Sequence, residues 1–132
     1  MRILIADDEY ISRRVMQELV REWGEVEPVA SGDEALQAAL LAMDDGRAFH
    51  LILLDIEMPG LDGHEVLRRL RAEEVTRGNT GRRSATVIMT TVRDSPESVF
   101  ASFRDQCEAY LIKPVTREVL YGHLKRLGLV KV

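Results

Sequence analysis

A chain of 132 residues, 45% hydrophobic and 30% charged, can bury roughly two thirds of its unfolded surface in one core without disulfides or structural metal. No apolar run approaches the ~20 residues of a membrane helix, and the sequence turns strand-like by Ile3 without a charged-then-apolar leader, which predicts a cytoplasmic protein with no membrane partner. A net charge of −4 argues against direct nucleic-acid binding. The single cysteine, Cys107, excludes an internal disulfide or multi-cysteine zinc site.

Cys107 is expected as a small core residue. His50, His64 and His123 lie too far apart for a ligand spacing, and the arginine groups at 13–14, 68–71 and 82–83 read as solvated faces.

In chain order, strands and helices alternate five times. Ile3 to Ala6 is a short apolar run ending in Asp7-Asp8-Glu9. Ile11, Val15 and Leu19, widened by Met16, Val20 and Trp23, predict an amphipathic helix packed on a sheet. The three acids either complement that helix's dipole or form part of a cation site. Val26 to Ala30 reads as an edge strand, because Pro28 has no N–H to donate. Ser31-Gly32-Asp33 caps a helix with Leu36, Ala39, Leu40 and Met43 on one face, ending near Gly46.

Leu51 to Leu54 suits a strand buried on both faces of a parallel sheet. Asp55 follows at its carboxyl end, where such sheets bind ligands. Met58-Pro59-Gly60 and Asp62-Gly63 are turn-formers that fix the loop behind it. The next helix turns Val66, Leu67 and Leu70 inward and its arginines outward, and Thr76 to Ser84 is expected as a mobile loop. Thr86 to Thr90 is a strand followed by Thr91. Ser95-Pro96 then starts a helix whose apolar side is Val99, Phe100 and Phe103. Ala109 to Ile112 is the last strand and stops at Lys113-Pro114. Thr116 caps a final helix with Val119, Leu120, His123, Leu124 and Leu127 on one stripe, closed by Gly128. This alternation predicts an α/β fold, a doubly wound five-stranded parallel sheet with five helices and no second domain over residues 1–132.

In such a sheet every strand's carboxyl end lies on one edge, so Asp7-Asp8, Asp55, Thr91 and Lys113 meet. Two like charges about 4 Å apart repel by roughly 4 kcal/mol at an effective dielectric near 20, so clustered carboxylates call for a cation. Magnesium, which binds through few carboxylates and leaves positions for phosphate oxygens, suits them. Lys113 can pair with Asp55 or an incoming phosphoryl group, and the Thr91 hydroxyl can donate to it. The set reads as phosphoryl transfer to a carboxylate.

Asp7-Asp8, Asp55 followed by Met58-Pro59 and Gly63, Thr91, Lys113-Pro114 and an aromatic three residues earlier, Tyr110, resemble the receiver domains of bacterial two-component response regulators, including the stand-alone chemotaxis type. The resemblance covers the whole chain. It implies the flavodoxin-like strand order 2-1-3-4-5 and a phosphoacceptor role for Asp55, with a histidine kinase or phosphotransfer protein as donor. It also implies Mg²⁺ held by Asp8, Asp55 and the main-chain carbonyl of Glu57, with Asp7 acting mainly through water. Thr91 and Tyr110 would be the switch residues, Thr91 and Lys113 sensing the phosphoryl group. Tyr110 also reads as a half-buried strand aromatic with a wet hydroxyl.

Four positions depart from or refine that pattern. Gln106 stands where many receivers have Gly, implying strain of about 1 kcal/mol or a different helix cap. Val92 is bulkier than the usual small residue, and Glu57 and Arg93 could pair across the pocket mouth, so these three are expected to tune access of water to the modified Asp55.

The expected function is a phosphorylation-dependent switch, not an enzyme on a separate substrate. Its protein target would bind the face of the fourth helix, fifth strand and fifth helix, bearing Phe100, Arg104, Tyr110, Lys125 and Arg126. A phosphorylation-dependent homodimer is a further option. The alternatives are a phosphate carrier or sink in a relay, and a fragment of a larger regulator or hybrid kinase. A flavodoxin-like or phosphatase-like enzyme fits poorly: the acids at 7–9 would repel a flavin phosphate, and no second Asp lies two residues beyond Asp55.

Overall fold

Short apolar runs separated by capped helices give a parallel sheet with helices on both faces. A computed structural model describes residues 1–93 and 95–131. Its strands are β1 (Arg2–Ala6), β2 (Glu25–Val29), β3 (Leu51–Asp55), β4 (Thr86–Thr91) and β5 (Ala109–Ile112). The helices are α1 (Tyr10–Val20), α2 (Gly32–Asp44), α3 (Gly63–Thr76), α4 (Pro96–Arg104) and α5 (Arg117–Arg126), with a 3₁₀ turn at Gly81–Arg83. The sheet is parallel in the order β2-β1-β3-β4-β5. This is the flavodoxin-like arrangement.

Pro28 lies on the edge strand β2, where its missing N–H breaks no inner ladder. Ser31, Asp62, Ser95 and Thr116 cap α2, α3, α4 and α5, each side chain accepting from the N–H three residues on.

Every residue of β3 is buried. Alternate side chains divide between two cores, as the two-residue period of a strand requires. Ile52 and Leu54 join Leu4, Val87 and Met89 under α2 and α3. Leu51 and Leu53 join Ile3, Ile5 and Ile88 under α1 and α5. Cys107 is buried, and burial pushes its thiol up to about 11, so it behaves as a core residue.

The facing of several helices differs from the expectation. In α1, Ile11 and Val15 are 64% and 51% exposed, while Met16 and Val20 form the buried side. The sequence offers two adjacent apolar stripes there, and contact with the sheet selects one. In α2 the core takes Ala35, Ala39 and Ala42; Leu36 and Met43 pack only at its margin. The close α2–α3 contact favours small side chains. Phe100 and Phe103 of α4 are exposed, and Ser102 is the buried residue, its hydroxyl donating to the Ser98 carbonyl. Val119 of α5 is exposed while Leu120 and Leu124 are buried.

Two more differences concern charge and loops. Arg71 turns inward from α3. It pairs with buried Glu74 at 2.8 Å and with Glu108 at 3.0 Å, and donates to the carbonyls of Ala85 and Gln106. The 76–84 stretch holds more structure than a loop, since α3 runs through Thr76 and Gly81–Arg83 form a turn. Gln106 is left-handed, φ 75°. The N–H groups of Gln106 and Cys107 bond to the carbonyls of Phe103 and Ser102, the paired closure usually built on Gly. Arg71 ties down the Gln106 carbonyl, so strain and cap coexist at this residue.

Candidate functional site

The rim at the carboxyl ends of β1, β3, β4 and β5 carries the chemistry. Asp55 is the last residue of β3 and is 5% exposed. Two glycines shape the segment behind it. Gly60 takes a left-handed turn, φ 73°. Gly63 starts α3 so close to the strand that a Cβ would lie 2.5 Å from the Asp55 carbonyl oxygen.

Asp7, buried just after β1, anchors the site. Its carboxylate accepts from the Glu9 N–H at 3.0 Å, the Ser12 hydroxyl and Lys113 Nζ at 2.9 Å. Burial works against its charge, yet the Ser12, Glu9 and Lys113 contacts together hold its carboxyl below the ordinary range. Lys113 Nζ lies 3.3 Å from Asp55 Oδ2, so it bridges the two acids and is closer to Asp7. Burial is the largest effect on Asp55, and with the neighbouring Asp7 and Glu57 charges it outweighs Lys113, pushing the carboxyl up to about 6. Lys113 itself is held above its usual value: burial opposes its charge, but the two acids more than offset it.

Asp7, Asp8 and Asp55 each offer a carboxylate oxygen within 4.8 Å of the others, with Asp8 on the solvent side. Oxygens sharing one Mg²⁺ at about 2.1 Å lie roughly 3 to 4 Å apart, so small side-chain motions close this set on the ion. The donors are hard oxygens. Three carboxylates against one ammonium leave two negative charges, the complement of a divalent cation. The residues present fit magnesium.

Thr91 ends β4 and is buried. Its hydroxyl lies 2.6 and 2.7 Å from the two Glu57 carboxylate oxygens, one of which also accepts the Val92 N–H at 3.4 Å. The expected pairing of Glu57 with Arg93 is not made among the described residues. Thr91 and the Val92 amide are nearer donors on a shorter tether, and they take the carboxylate instead. Arg93 acts through its backbone: its N–H donates to Thr91 Oγ1 at 3.1 Å, and its carbonyl accepts the Tyr110 hydroxyl at 3.1 Å. Tyr110 is half-buried and packs against the core while its hydroxyl makes this bond, as expected of a half-buried strand aromatic. Val92 is 66% exposed at the pocket mouth.

The rim thus unites Asp7, Asp8, Asp55, Thr91 and Lys113, with Glu57, Val92, Arg93 and Tyr110 around them. The Ser12 hydroxyl and the Glu57 side chain were not anticipated in their roles. Ser12 could have been found, since a first-turn residue of α1 faces back toward the end of β1. A nucleophilic carboxylate beside an ammonium, a hydroxyl donor and a place for a divalent ion has the parts that phosphoryl transfer uses.

A family model described as the response regulator receiver domain matches residues 3–125. Among curated proteins, the positive alginate biosynthesis regulatory protein of Pseudomonas aeruginosa is 36% identical over 130 residues, 96% of this chain and 46% of that protein. The sensory/regulatory protein RpfC of Xanthomonas campestris is 29% identical over 97% of this chain and 16% of its own length. The curated relatives are longer, so this chain spans only part of each. Among solved structures, the Mg²⁺ complex of the receiver domain of a histidine kinase from Arabidopsis thaliana superposes with a TM-score of 0.81 at 27% identity, covering 96% of this chain and 90% of that one. A chemotaxis protein of Vibrio cholerae gives 0.77 at 27% identity, covering 95% and 96%. Five parallel strands in this order, the acidic rim and these likenesses agree: the chain belongs to the response regulator receiver domains of two-component signalling.

Proposed function

We propose that the chain is a phosphorylation-dependent switch in which Asp55 accepts a phosphoryl group from the phosphohistidine of a histidine kinase or phosphotransfer protein. An Asp55 oxygen forms the new O–P bond, the P–N bond to the donor breaks, and the departing imidazole retains the electron pair and takes up a proton. Asp7, Asp8, Asp55 and the Glu57 carbonyl would hold Mg²⁺, which supplies charge neutralisation for the phosphoryl oxygens. Lys113 screens the charge that remains, and Asp7, fixed by Ser12 and Glu9, keeps Lys113 aimed at the acceptor. The chain's part in the chemistry is positioning and charge stabilisation on its own side chain, not turnover of a separate substrate.

The observation carrying this reading is the contact of Lys113 with both Asp7 and Asp55 on a rim where Asp8 completes an acidic triad. The bond between Thr91 and Glu57 supports a switching route. For its hydroxyl to donate to a phosphoryl oxygen, Thr91 must leave Glu57, and the same movement disturbs Arg93 and the partner of the Tyr110 hydroxyl. The outgoing surface is then the α4–β5–α5 face, where Phe100, Phe103, Ile112 and Val119 are exposed beside Arg104, Lys125 and Arg126. A target there gains only by its difference in affinity for the two forms. Glu57 and Val92 stand at the mouth and slow the water that would hydrolyse the acyl phosphate, Arg93 assisting through its backbone contacts.

Mass measurement after incubation with acetyl phosphate and Mg²⁺ tests the reading: wild type gains about 80 Da and Asp55→Asn gains nothing. Equal labelling of both proteins, or none of the wild type, refutes it. A second reading, a receiver module serving within a longer regulator or hybrid kinase as relay carrier or sink, keeps the same chemistry; it is favoured by the greater length of the curated relatives.

A further inference from the structure

A cavity of about 620 Å³ lies at the opposite end of the sheet from Asp55. It is formed where the loops before β3 and β4 meet the start of β1 and the segment after α5. Its size falls in the range of small-molecule sites. Four arginines, Arg2, Arg47, Arg82 and Arg83, and His50 line it, and no carboxylate does among the described residues. For a chain of net charge −4 this is a concentrated reversal of sign.

The donors are arranged, not merely numerous. Arg2 lies over the Phe49 ring at 4.5 Å and donates to the Arg47 carbonyl, which fixes its guanidinium at the wall. The Arg2 N–H donates to His50 Nδ1 at 3.0 Å, so the neutral ring carries its proton on Nε2, and His50 is exposed. Asn79 adds a neutral donor on the same side, while the Ser84 hydroxyl donates to the Gly81 carbonyl and holds the turn. Of the lining arginines, Arg47 has an acidic partner, Glu25 at 3.5 Å, as does nearby Arg77, with Asp44 at 2.8 Å. Exposed Arg82 and Arg83 have no such pair among the described residues, although the turn Gly81–Arg83 places them side by side.

The geometry points to a binding site for a compact polyphosphate group of the kind nucleoside triphosphates carry. Paired guanidinium forks match phosphate oxygens in twos, which a single lysine cannot do. Met43 and Leu129 give the cavity an apolar side for a nucleoside. A nucleic-acid strand fits less well, because Glu27 and Asp45 line the adjoining cavity that shares Arg2 and Arg47 and would repel a charged backbone running past. This inference is independent of the phosphoryl acceptance proposed for Asp55.

ATP and inorganic tripolyphosphate, in EDTA to keep metal from the acidic rim, are titrated into the isotopically labelled protein while backbone amides are followed. The expected result is shifts concentrated in residues 46–50 and 79–86, displacement of ATP by tripolyphosphate, affinity at least about tenfold weaker in Arg82→Gln/Arg83→Gln, and unchanged affinity in Asp55→Asn. Absence of those shifts at millimolar ATP, or wild-type affinity in the double arginine variant, overturns the proposal. So does a single-stranded oligonucleotide that displaces ATP at lower phosphate concentration than tripolyphosphate does, which would mark the cavity as part of a nucleic-acid surface.

Discussion

Asp55 and Glu74 are both buried carboxylates, 5% and 3% exposed, yet they sit at opposite ends of the sheet in opposite electrostatic circumstances. Glu74 accepts the Ala85 N–H at 2.7 Å and pairs with Arg71, which also bonds two main-chain carbonyls and Glu108. Its charge is answered within the chain. Asp55 shares a single ammonium with Asp7, and the balance of burial and neighbouring acids raises its carboxyl to about 6. A buried acid with a complete set of partners holds a fold together. One left short of positive charge is poised to take a cation or a new group, and such perturbed acids cluster at functional sites.

The comparison can be broken most directly at Asp55. Asp55→Asn should abolish the phosphoryl adduct, whereas Glu74→Gln should still acquire it; mass measurement with acetyl phosphate decides this, and an adduct on the Asn variant would end the distinction. Removing the cation at the other end tests its structural side. Arg71→Met leaves Glu74 buried without its charge partner, and should lower unfolding free energy by about 3 kcal/mol or more in urea titration. A loss under about 1 kcal/mol would mean that water or rearrangement satisfies Glu74.

A gentler effect carries the opposite sign. A carboxyl whose folded pKa is about 6 against an ordinary value of 3.8 binds its proton more tightly when folded. Its contribution to metal-free stability therefore falls as pH rises between those values. Asp55→Asn removes this term, so at pH 7 without Mg²⁺ the variant should be about 1 to 3 kcal/mol more stable than wild type, the gap closing toward pH 4. The same proton competes with metal, so Mg²⁺ affinity measured by calorimetry should weaken as pH drops below about 6. Equal stabilities of the two proteins from pH 4 to 7 would remove the basis for calling Asp55 undercompensated.

The smallest effect is at the end of α4. Gln106→Gly relieves a left-handed non-glycine residue while leaving its carbonyl on Arg71. It should stabilise by no more than about 1 kcal/mol, since glycine also frees the unfolded chain. A clear loss would show that the Gln106 side chain contributes more than its backbone does.

Much of this protein was legible from residue order. Turn-formers, caps and runs of two-residue or 3.6-residue period located five strands and five helices, because these signals are local. The gathering of Asp7, Asp8, Asp55, Thr91 and Lys113 was legible too, since a parallel sheet brings all strand carboxyl ends to one edge whatever their separation along the chain. Ser31, Ser95 and Thr116 cap helices as expected, and Asp62, expected as a turn-former, caps a fourth. The turn at Gly81–Arg83 was missed because short 3₁₀ segments leave little periodic trace.

What tertiary structure alone decided is which of several chemically equivalent options each side chain takes. α1 has two apolar stripes, and only docking on the sheet buried Met16 and Val20 while leaving Ile11 and Val15 outside. Glu57 took the Thr91 hydroxyl and the Val92 amide, where its position in sequence had suggested Arg93. Arg71, one of several arginines on α3, is the one that answers a fully buried acid among the described residues. Periodicity and composition say that a residue is apolar, charged or able to hydrogen-bond. Which partner it meets depends on distances between segments far apart in sequence, and those are set only when the helices settle on the sheet.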